Sequence, residues 1–556
     1  MIEREVRTPT GTYVGFCEDS IREFLGIRYV EPVSFWEFPQ PLTTTPGDRI
    51  EAKTYGPQCL QPTSPDELAS LGEKSNDCLT LNIWTKDNDN TGKPVMVYIH
   101  GGSYSNGGNA DPITCGKGFL ELLPDDEDAV MVKINYRVGI FGCADLTVLE
   151  GDTSQFHDTL ALHIVDQIAA LRWVHENISA FGGDPDNVTL FGQSAGSMSI
   201  AYLMANEEAR NYFSRGIMQS GIPGFGLATK EAKATTCKGL FDALGIRTID
   251  ELMSKDDDFW NEHYDEVFMQ FAGGICPRVI DGKYIKDTMY DEIKNGKARD
   301  ISLMVGGTTG EMDVYKYSMM DPSHINTADE VLDMLYAMNE ECGNSICQMT
   351  PYGHDEIHEE YINAGEDSLR RACNIFSAYA TQLGSVYYAE WQSKWNNTYH
   401  YAWNWMPDAT MLSKTGQKTS FSSWGRALHC AELPVLFNSG DVAYPALGTW
   451  WVFYLGEDIK ETVPKSIVPV DLARKAALTW YSFAKTGNPN NELIPEWKPF
   501  DEEDRATMFI DEEWDLRSDA LIEDRNLLRG IEFAKRQDNT LKNTRKVAMN
   551  VHAMER

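Results

Sequence analysis

Short apolar runs and helix-period segments alternate along most of the chain. Near the N-terminus, β-branched stretches parted by Gly11, Gly15 and Gly26 predict hairpin strands at Arg4–Pro9, Thr12–Cys17 and Glu23–Arg28. KPVMVYI, Lys93–Ile99, is a continuous apolar run of the kind a strand buried on both faces requires, and Ala129–Tyr136 predicts a second. From Leu160 to Phe181 the spacing turns helical, with Leu162, Ile168, Leu171, Val174 and Ile178 recurring mostly every three or four residues. That helix is expected to stop at FGGDPDNV, where two glycines and a proline oppose continuation. Strands are predicted again at Val188–Phe191, Phe213–Ser220, Ser302–Gly306 and Thr398–Trp405, with helical material between about 222 and 300. VDLARKAALTWYSFAKTGNPN, from Val470, reads as a late helix with a glycine-proline stop. Strands alternating with helices predict an α/β fold built on a mostly parallel sheet.

The candidate chemistry begins where the Val188–Phe191 run ends, in FGQSAG. A serine between glycines at a strand-to-helix turn is the elbow of a serine hydrolase, which makes Ser194 the candidate nucleophile. Gly192 and Gly196 suit that turn because a Cβ two residues either side of the serine would collide with neighbouring chain. Five residues of this kind occur by accident in long chains. Their weight depends on a base, an acid and an oxyanion hole elsewhere.

Those parts are legible through wider motifs. FLGIRYVEP, YGPQCLQ, SNDCLTLNIW, HGGSYSNGG, DQIAALRWVHENISAFGGDPDNVTLFGQSAG, GRALHCAELPVLFNSG and FAKTGNPN together resemble the type-B carboxylesterase and cholinesterase family of α/β-hydrolases, in the style of its bacterial para-nitrobenzyl-type members. The resemblance runs from about residue 5 to 515. It implies a serine carboxylesterase with an α/β-hydrolase fold: one catalytic domain over residues 1–530, helical insertions at about 222–300 and 320–395, and a basic tail at 531–556.

In HGGSYSNGG the family's oxyanion loop implies donors at the amides of Gly102 and Ser103, joined by that of Ala195; Ser103 and Tyr104 replace a small residue and Phe, leaving the backbone donors intact. The chain order nucleophile, acid, histidine puts the acid in GGTTGEMD. Glu311 fits the strand-to-acid spacing, with Asp313 as the rival. His429 follows as the base, and its need to be neutral predicts a rate that falls on the acidic side of about pH 6 to 7. Cys430 beside it is read as a buried small hydrophobe.

Two departures bear on the substrate. Gln193 stands where cholinesterases have Glu, and no Trp lies between Cys59 and Cys78, so choline esters are not favoured over other small esters. Trp403, Trp405, Phe421 and Trp424 fit either an aromatic pocket or core packing. The same fold also serves as an adhesion module in animals, and an acyl-enzyme can pass its acyl group to an alcohol or amine. The complete set of Ser194, Glu311 and His429 argues for an enzyme.

Composition closes off other classes. A formal net charge of −35 excludes the basic footprint that nucleic acid requires. The N-terminus has no apolar run after its charges, so a cytoplasmic location is expected, although a processed secreted chain would look alike. No run of about 18 apolar residues predicts a membrane span. No cofactor is expected; the small-molecule ester is the expected partner, and monomer and homodimer both fit. HDEIHEEY, with Cys342 and Cys347 upstream of His354 and His358, has the wrong spacing for a zinc finger, and no metal site is predicted there. Cys59 and Cys78 match family positions that are bridged in secreted members and would be thiols in a reducing cytosol. The tail from Ile531 carries six Lys/Arg against three Asp/Glu.

Overall fold

A computed structural model describes residues 1–62, 72–156, 158–221, 228–271, 279–316, 326–333, 367–406, 410–412, 418–420, 424–439 and 468–521. The N-terminal strands are β1 (Ile2–Thr8), β2 (Gly11–Glu18), β3 (Ile21–Arg28), β4 (Arg49–Glu51) and β5 (Thr80–Lys86). The central ones are β6 (Lys93–Ile99), β7 (Val130–Ile134), β8 (Gly183–Gln193), β9 (Arg215–Gln219), β10 (Ser302–Thr308) and β11 (Thr398–Trp403). A separate hairpin, β12 (Thr410–Leu412) with β13 (Lys418–Ser420), precedes β14 (Thr507–Ile510) and β15 (Trp514–Arg517).

One sheet runs β1-β2-β3-β5-β7-β6-β8-β9-β10-β11-β14-β15, with β4 beside β2. From β7 through β14 every neighbour is parallel, while the N-terminal hairpins and β15 are antiparallel. This is the α/β-hydrolase arrangement that the motifs implied.

The apolar run Lys93–Ile99 explains the layers. Every residue of β6 is buried, and because side chains alternate along a strand, Val95, Val97 and Ile99 enter one core while Met96 and Tyr98 enter the other. The first core holds Leu171 and Val174 of the helix Leu162–Asn177 and Ile200 and Leu203 of the helix Ala195–Ala205. The second holds Trp480 and Phe483 of the helix Val470–Thr486. Covered on both sides, the central strands gain nothing from polar alternation, and their sequences show none.

The helix expected over Leu160–Phe181 is present in three pieces. A 3-10 turn at Thr159–Ala161 leads into Leu162–Asn177, and a second at Ile178–Phe181 closes on Gly182 at φ 90°. Strand β8 then starts at Gly183, earlier than the Val188–Phe191 run predicts, because pairing of Lys93 with Gly183 recruits the polar DPDN stretch into the sheet edge. Trp403 and Trp405 belong to the second core, so core packing accounts for both. Late in the 320–395 stretch, the helix Leu383–Gln392 packs on β10 and β11, the helix Ser368–Ser377 packs on the turn Asp313–Lys316, and Gln382 Nε2 donates to the carbonyls of Thr308 and Thr309.

One buried ion pair ties this frame to the loop after β7. Arg137 and Asp166 have side chains 1% and 0% exposed; the Asp166 carboxylate accepts from Arg137 N, Nε and Nη2 at 3.1, 2.8 and 2.6 Å. Arg137 Nη1 spends a further donor on Glu37 O. Removing one partner strands the other charge out of water, so Asp166→Ala is expected to cost about 3–5 kcal/mol. A urea titration reads that loss, and a midpoint equal to that of the parent protein would contradict it.

Among the described residues no helix is long and apolar enough to cross a membrane, and no group of three or more His, Cys, Asp or Glu could hold a metal ion. His354, His358, Cys342, Cys347, Phe421 and the tail 531–556 lie outside the described residues.

Candidate active site

The elbow is built by strain and by three glycines. Ser194, between β8 and the helix Ala195–Ala205, has φ 56° and ψ −121°, a region L-residues avoid at a cost of about 1–3 kcal/mol. Its N–H donates to Gln219 O at 2.9 Å and its carbonyl accepts from Met198 N at 3.0 Å, which hold the turn from both ends. A Cβ on Gly196 would stand 1.9 Å from Ile99 O, and one on Gly192 2.8 Å from the same atom. On Gly221, after β9, a Cβ would meet Ser194 O at 2.0 Å. The surrounding backbone is packed directly on the elbow, and Ser194 itself keeps 8% exposure.

The loop after β6 lies against that turn. A Cβ on Gly101 would come within 3.2 Å of Ser194 Cβ. Gly102, at φ 108°, admits only glycine, since a Cβ there would sit 2.1 Å from Asn106 O; Ser103 and Tyr104 follow at φ 53° and 58°. This left-handed run is pinned by Ser105 N and Asn106 N donating to Gly102 O at 2.8 and 3.1 Å, and by Gly139 N donating to Tyr104 O at 2.6 Å. The Tyr104 side chain is fully buried, and its hydroxyl meets that of Ser199 at 3.1 Å. Ala195 is the first residue of its helix, so its N–H has no carbonyl within that helix to bond. The Gly102 and Ser103 amides thus belong to a fixed loop beside a helix N-terminus, the electrostatic setting an oxyanion needs.

Acid and base candidates come from two further strand ends. Glu311, three residues after β10, is fully buried; its Oε1 accepts from Thr308 N at 2.7 Å and its Oε2 is in short contact with His429 Nδ1. The rival, Asp313, is occupied by the Arg426 guanidinium, with Nε at 3.0 Å. A carboxylate can only accept, so Nδ1 carries the proton and the neutral imidazole has its lone pair on Nε2.

Among the described residues no hydrogen bond joins Ser194 Oγ to His429; Gln193 Nε2 stands 3.1 Å from His429 Nε2 and 3.4 Å from Nδ1. The sequence marks Gln193 as a neutral neighbour of the serine. Its contact with a residue 236 positions away is beyond reach of pattern reading.

Burial works against a charged His429, but the Cys430 sulfur and the Glu311 carboxylate outweigh it and hold the imidazole's pKa well above 6.5. Cys430 is buried and its thiol is itself pushed up by burial, which leaves it uncharged near neutrality; Glu311 supplies the charge that acts there. Another carboxyl was not foreseen as part of the site. Glu432 is fully buried and pushed up to about 7, by burial first and then by the Glu311 charge, and its Oε1 accepts from Gln219 Nε2 at 3.2 Å. Glu432 sits inside the motif GRALHCAELPVLFNSG and Gln219 near the end of the predicted strand Phe213–Ser220, which were the available signal.

Cys59 and Cys78 are joined by a disulfide, with Cα atoms 4.9 Å apart, inside the usual range for such bridges.

A model of the carboxylesterase family matches residues 3–525 of the chain. The chain is 30% identical to the para-nitrobenzyl esterase of Bacillus subtilis over 543 residues, 95% of this chain and 99% of that protein. It is 27% identical to the phenmedipham hydrolase of Pseudarthrobacter oxydans, covering 92% of this chain and 96% of the relative. Among solved structures, a para-nitrobenzyl esterase superposes with a TM-score of 0.73 at 28% identity over 94% of this chain and 99% of its own. The carboxylesterase of Geobacillus stearothermophilus gives 0.74 at 26% over 94% and 100%.

Proposed function

The chain belongs to the carboxylesterase family, and from that premise we propose that it hydrolyses small carboxylic esters through a Ser194–His429–Glu311 triad and a covalent acyl-enzyme. The observation that carries the reading is the contact of Glu311 Oε2 with His429 Nδ1, made by an imidazole lying against the residue before a strained serine. Residues 1–530 act as one catalytic domain.

The steps are as follows. Ser194 Oγ adds to the ester carbonyl carbon while His429 Nε2 takes its proton, and the amides of Gly102, Ser103 and Ala195 hold the oxyanion. The intermediate collapses, and the departing alkoxide takes the proton from His429. Water then adds to the acyl carbon, giving its proton to His429, which returns it to Ser194 Oγ as the acid leaves. Glu311 keeps the imidazole oriented and stabilises its cation.

A panel of nitrophenyl esters of increasing acyl length tests the activity and its range, and a fluorophosphonate adduct mapped to the Ser194 peptide tests the nucleophile. Product analysis with added alcohol separates hydrolysis from acyl transfer. Label on another serine, or none in an active preparation, would refute the assignment.

The pH profile carries its own sign. The imidazole works only when neutral, and Glu311 favours the cation, so kcat/KM is expected to rise with pH through a midpoint above 6.5. This places the midpoint of the acid limb above that of an unperturbed histidine. A midpoint below 6.5 in the hydrolysis of nitrophenyl acetate would contradict it.

A further inference from the structure

We propose that Tyr104 is a positioning residue for the oxyanion hole, its hydroxyl tying the loop that carries the Gly102 and Ser103 amides to the helix that carries the Ala195 amide. The role rests on the triad reading above and deepens it. These donors come from two segments far apart in sequence, so only contacts in space can fix their separation. Tyr104 is fully buried, and its Oη accepts from Ser199 Oγ at 3.1 Å. Ser199 lies one helical turn after Ala195 in the helix Ala195–Ala205. Its Oγ accepts in turn from Gln167 Nε2, on the helix Leu162–Asn177, at 3.0 Å. Gln167 and Ser199 are as buried as Tyr104, so this line of hydrogen bonds runs through a place where solvent cannot replace a lost partner.

The loop has need of such a tie. Ser103 and Tyr104 hold left-handed backbone at φ 53° and 58°, where residues with a Cβ are strained. The backbone bonds to Gly102 O and Tyr104 O come from Ser105, Asn106 and Gly139, in the loop itself and after β7. None of those bonds reaches the helix Ala195–Ala205, whereas the Tyr104 hydroxyl does. The ring is wedged as well, standing edge-on to His163 and Tyr136 with centroids 4.9 and 6.3 Å away. A phenylalanine would keep that wedge and lose only the tie.

Oxyanion donors act when aligned on the transition-state oxygen, and deleting one outright costs about 10²–10³ in kcat. A donor kept but loosened forfeits part of that, about tenfold. Ester binding should hardly change, because the donors are placed for the oxyanion and not for the ground-state carbonyl.

The test compares wild type, Y104F, S199A and the double variant. Stopped-flow acylation by nitrophenyl acetate separates the dissociation constant of the ester from the acylation rate constant. Inhibition by phenyl trifluoromethyl ketone reads the hole itself: Ser194 Oγ bonds to the ketone carbon, its proton passes to His429, and the carbonyl π pair becomes the alkoxide that the donors hold. Y104F is expected to lower the acylation rate constant and to raise the ketone's inhibition constant by the same factor, about tenfold, with the ester dissociation constant within about twofold of wild type. S199A should do the same, and the double variant should be no worse than the worse single one, since either change removes the same bond. Unchanged acylation and ketone inhibition in Y104F overturn the proposal. So do a loss confined to ester binding and losses that multiply in the double variant. Y104F removes one oxygen and keeps the ring packed, so it decides alone if S199A does not fold. A wild type that the ketone does not inhibit fails the oxyanion reading itself; an inhibited wild type matched by Y104F fails the role of Tyr104 alone.

Discussion

Ser194→Ala is expected to lower kcat for nitrophenyl esters by about a million-fold while leaving the folded protein intact. The size follows from the way triad members act as a unit. Without Oγ no acyl-enzyme forms, and the residual rate comes only from binding and the oxyanion donors. The fold should tolerate the change because Oγ makes no hydrogen bond among the described residues, and the backbone bonds to Gln219 O and Met198 N need no side chain. An unchanged thermal midpoint with turnover gone is the expected pair of results. Turnover within tenfold of wild type would remove Ser194 from the mechanism.

Glu311→Gln should be nearly as damaging, with kcat down by about 10⁴-fold. The glutamine side chain can present its amide N–H to Nδ1, which moves the imidazole proton to Nε2 and leaves no lone pair for the serine. Thr308 N still has an oxygen to bond, so the segment after β10 keeps its anchor. Loss of the carboxylate charge also lowers the histidine pKa. Whatever activity survives should show its acid limb displaced downward from the wild-type position, and an unmoved limb would assign the raised His429 pKa to some other group.

The parts of this site differ in how far the amino-acid pattern reaches. Strands such as Lys93–Ile99 are legible because a stretch buried on both faces must be apolar throughout, and the elbow is legible because a Cβ at Gly196 would overlap the carbonyl of Ile99. Glu311 and His429 follow from chain order once the strand ends are placed. Spacing from the strand end favours Glu311 over Asp313, but the pairing of Asp313 with Arg426 is a contact no spacing rule reveals. The start of β8 was misplaced because Asp184 to Asn187 look like a turn and are drawn into strand by their neighbour in space. Gln193 facing His429, Gln219 bonding Glu432 and Arg137 burying its charge against Asp166 are all tertiary pairings of polar residues. Polar side chains carry no periodicity of their own, so such pairs stay invisible until the sheet sets their distance.

The helix Val470–Thr486, part of the second core, also bears on the order in which the site is synthesised. Its Trp480 Nε1 approaches Gln219 Oε1 at 3.4 Å, and Gln219 in turn holds the Ser194 N–H and the Glu432 carboxyl. During synthesis Ser194 leaves the ribosome with most of the chain still to come, followed by His429 and then by this helix. The nascent polypeptide therefore carries its nucleophile through the next 235 residues of synthesis without the base. The serine, its base and the helix that braces Gln219 come from stretches of chain far apart in sequence, so a product cut short before residue 429 lacks the histidine the reaction needs.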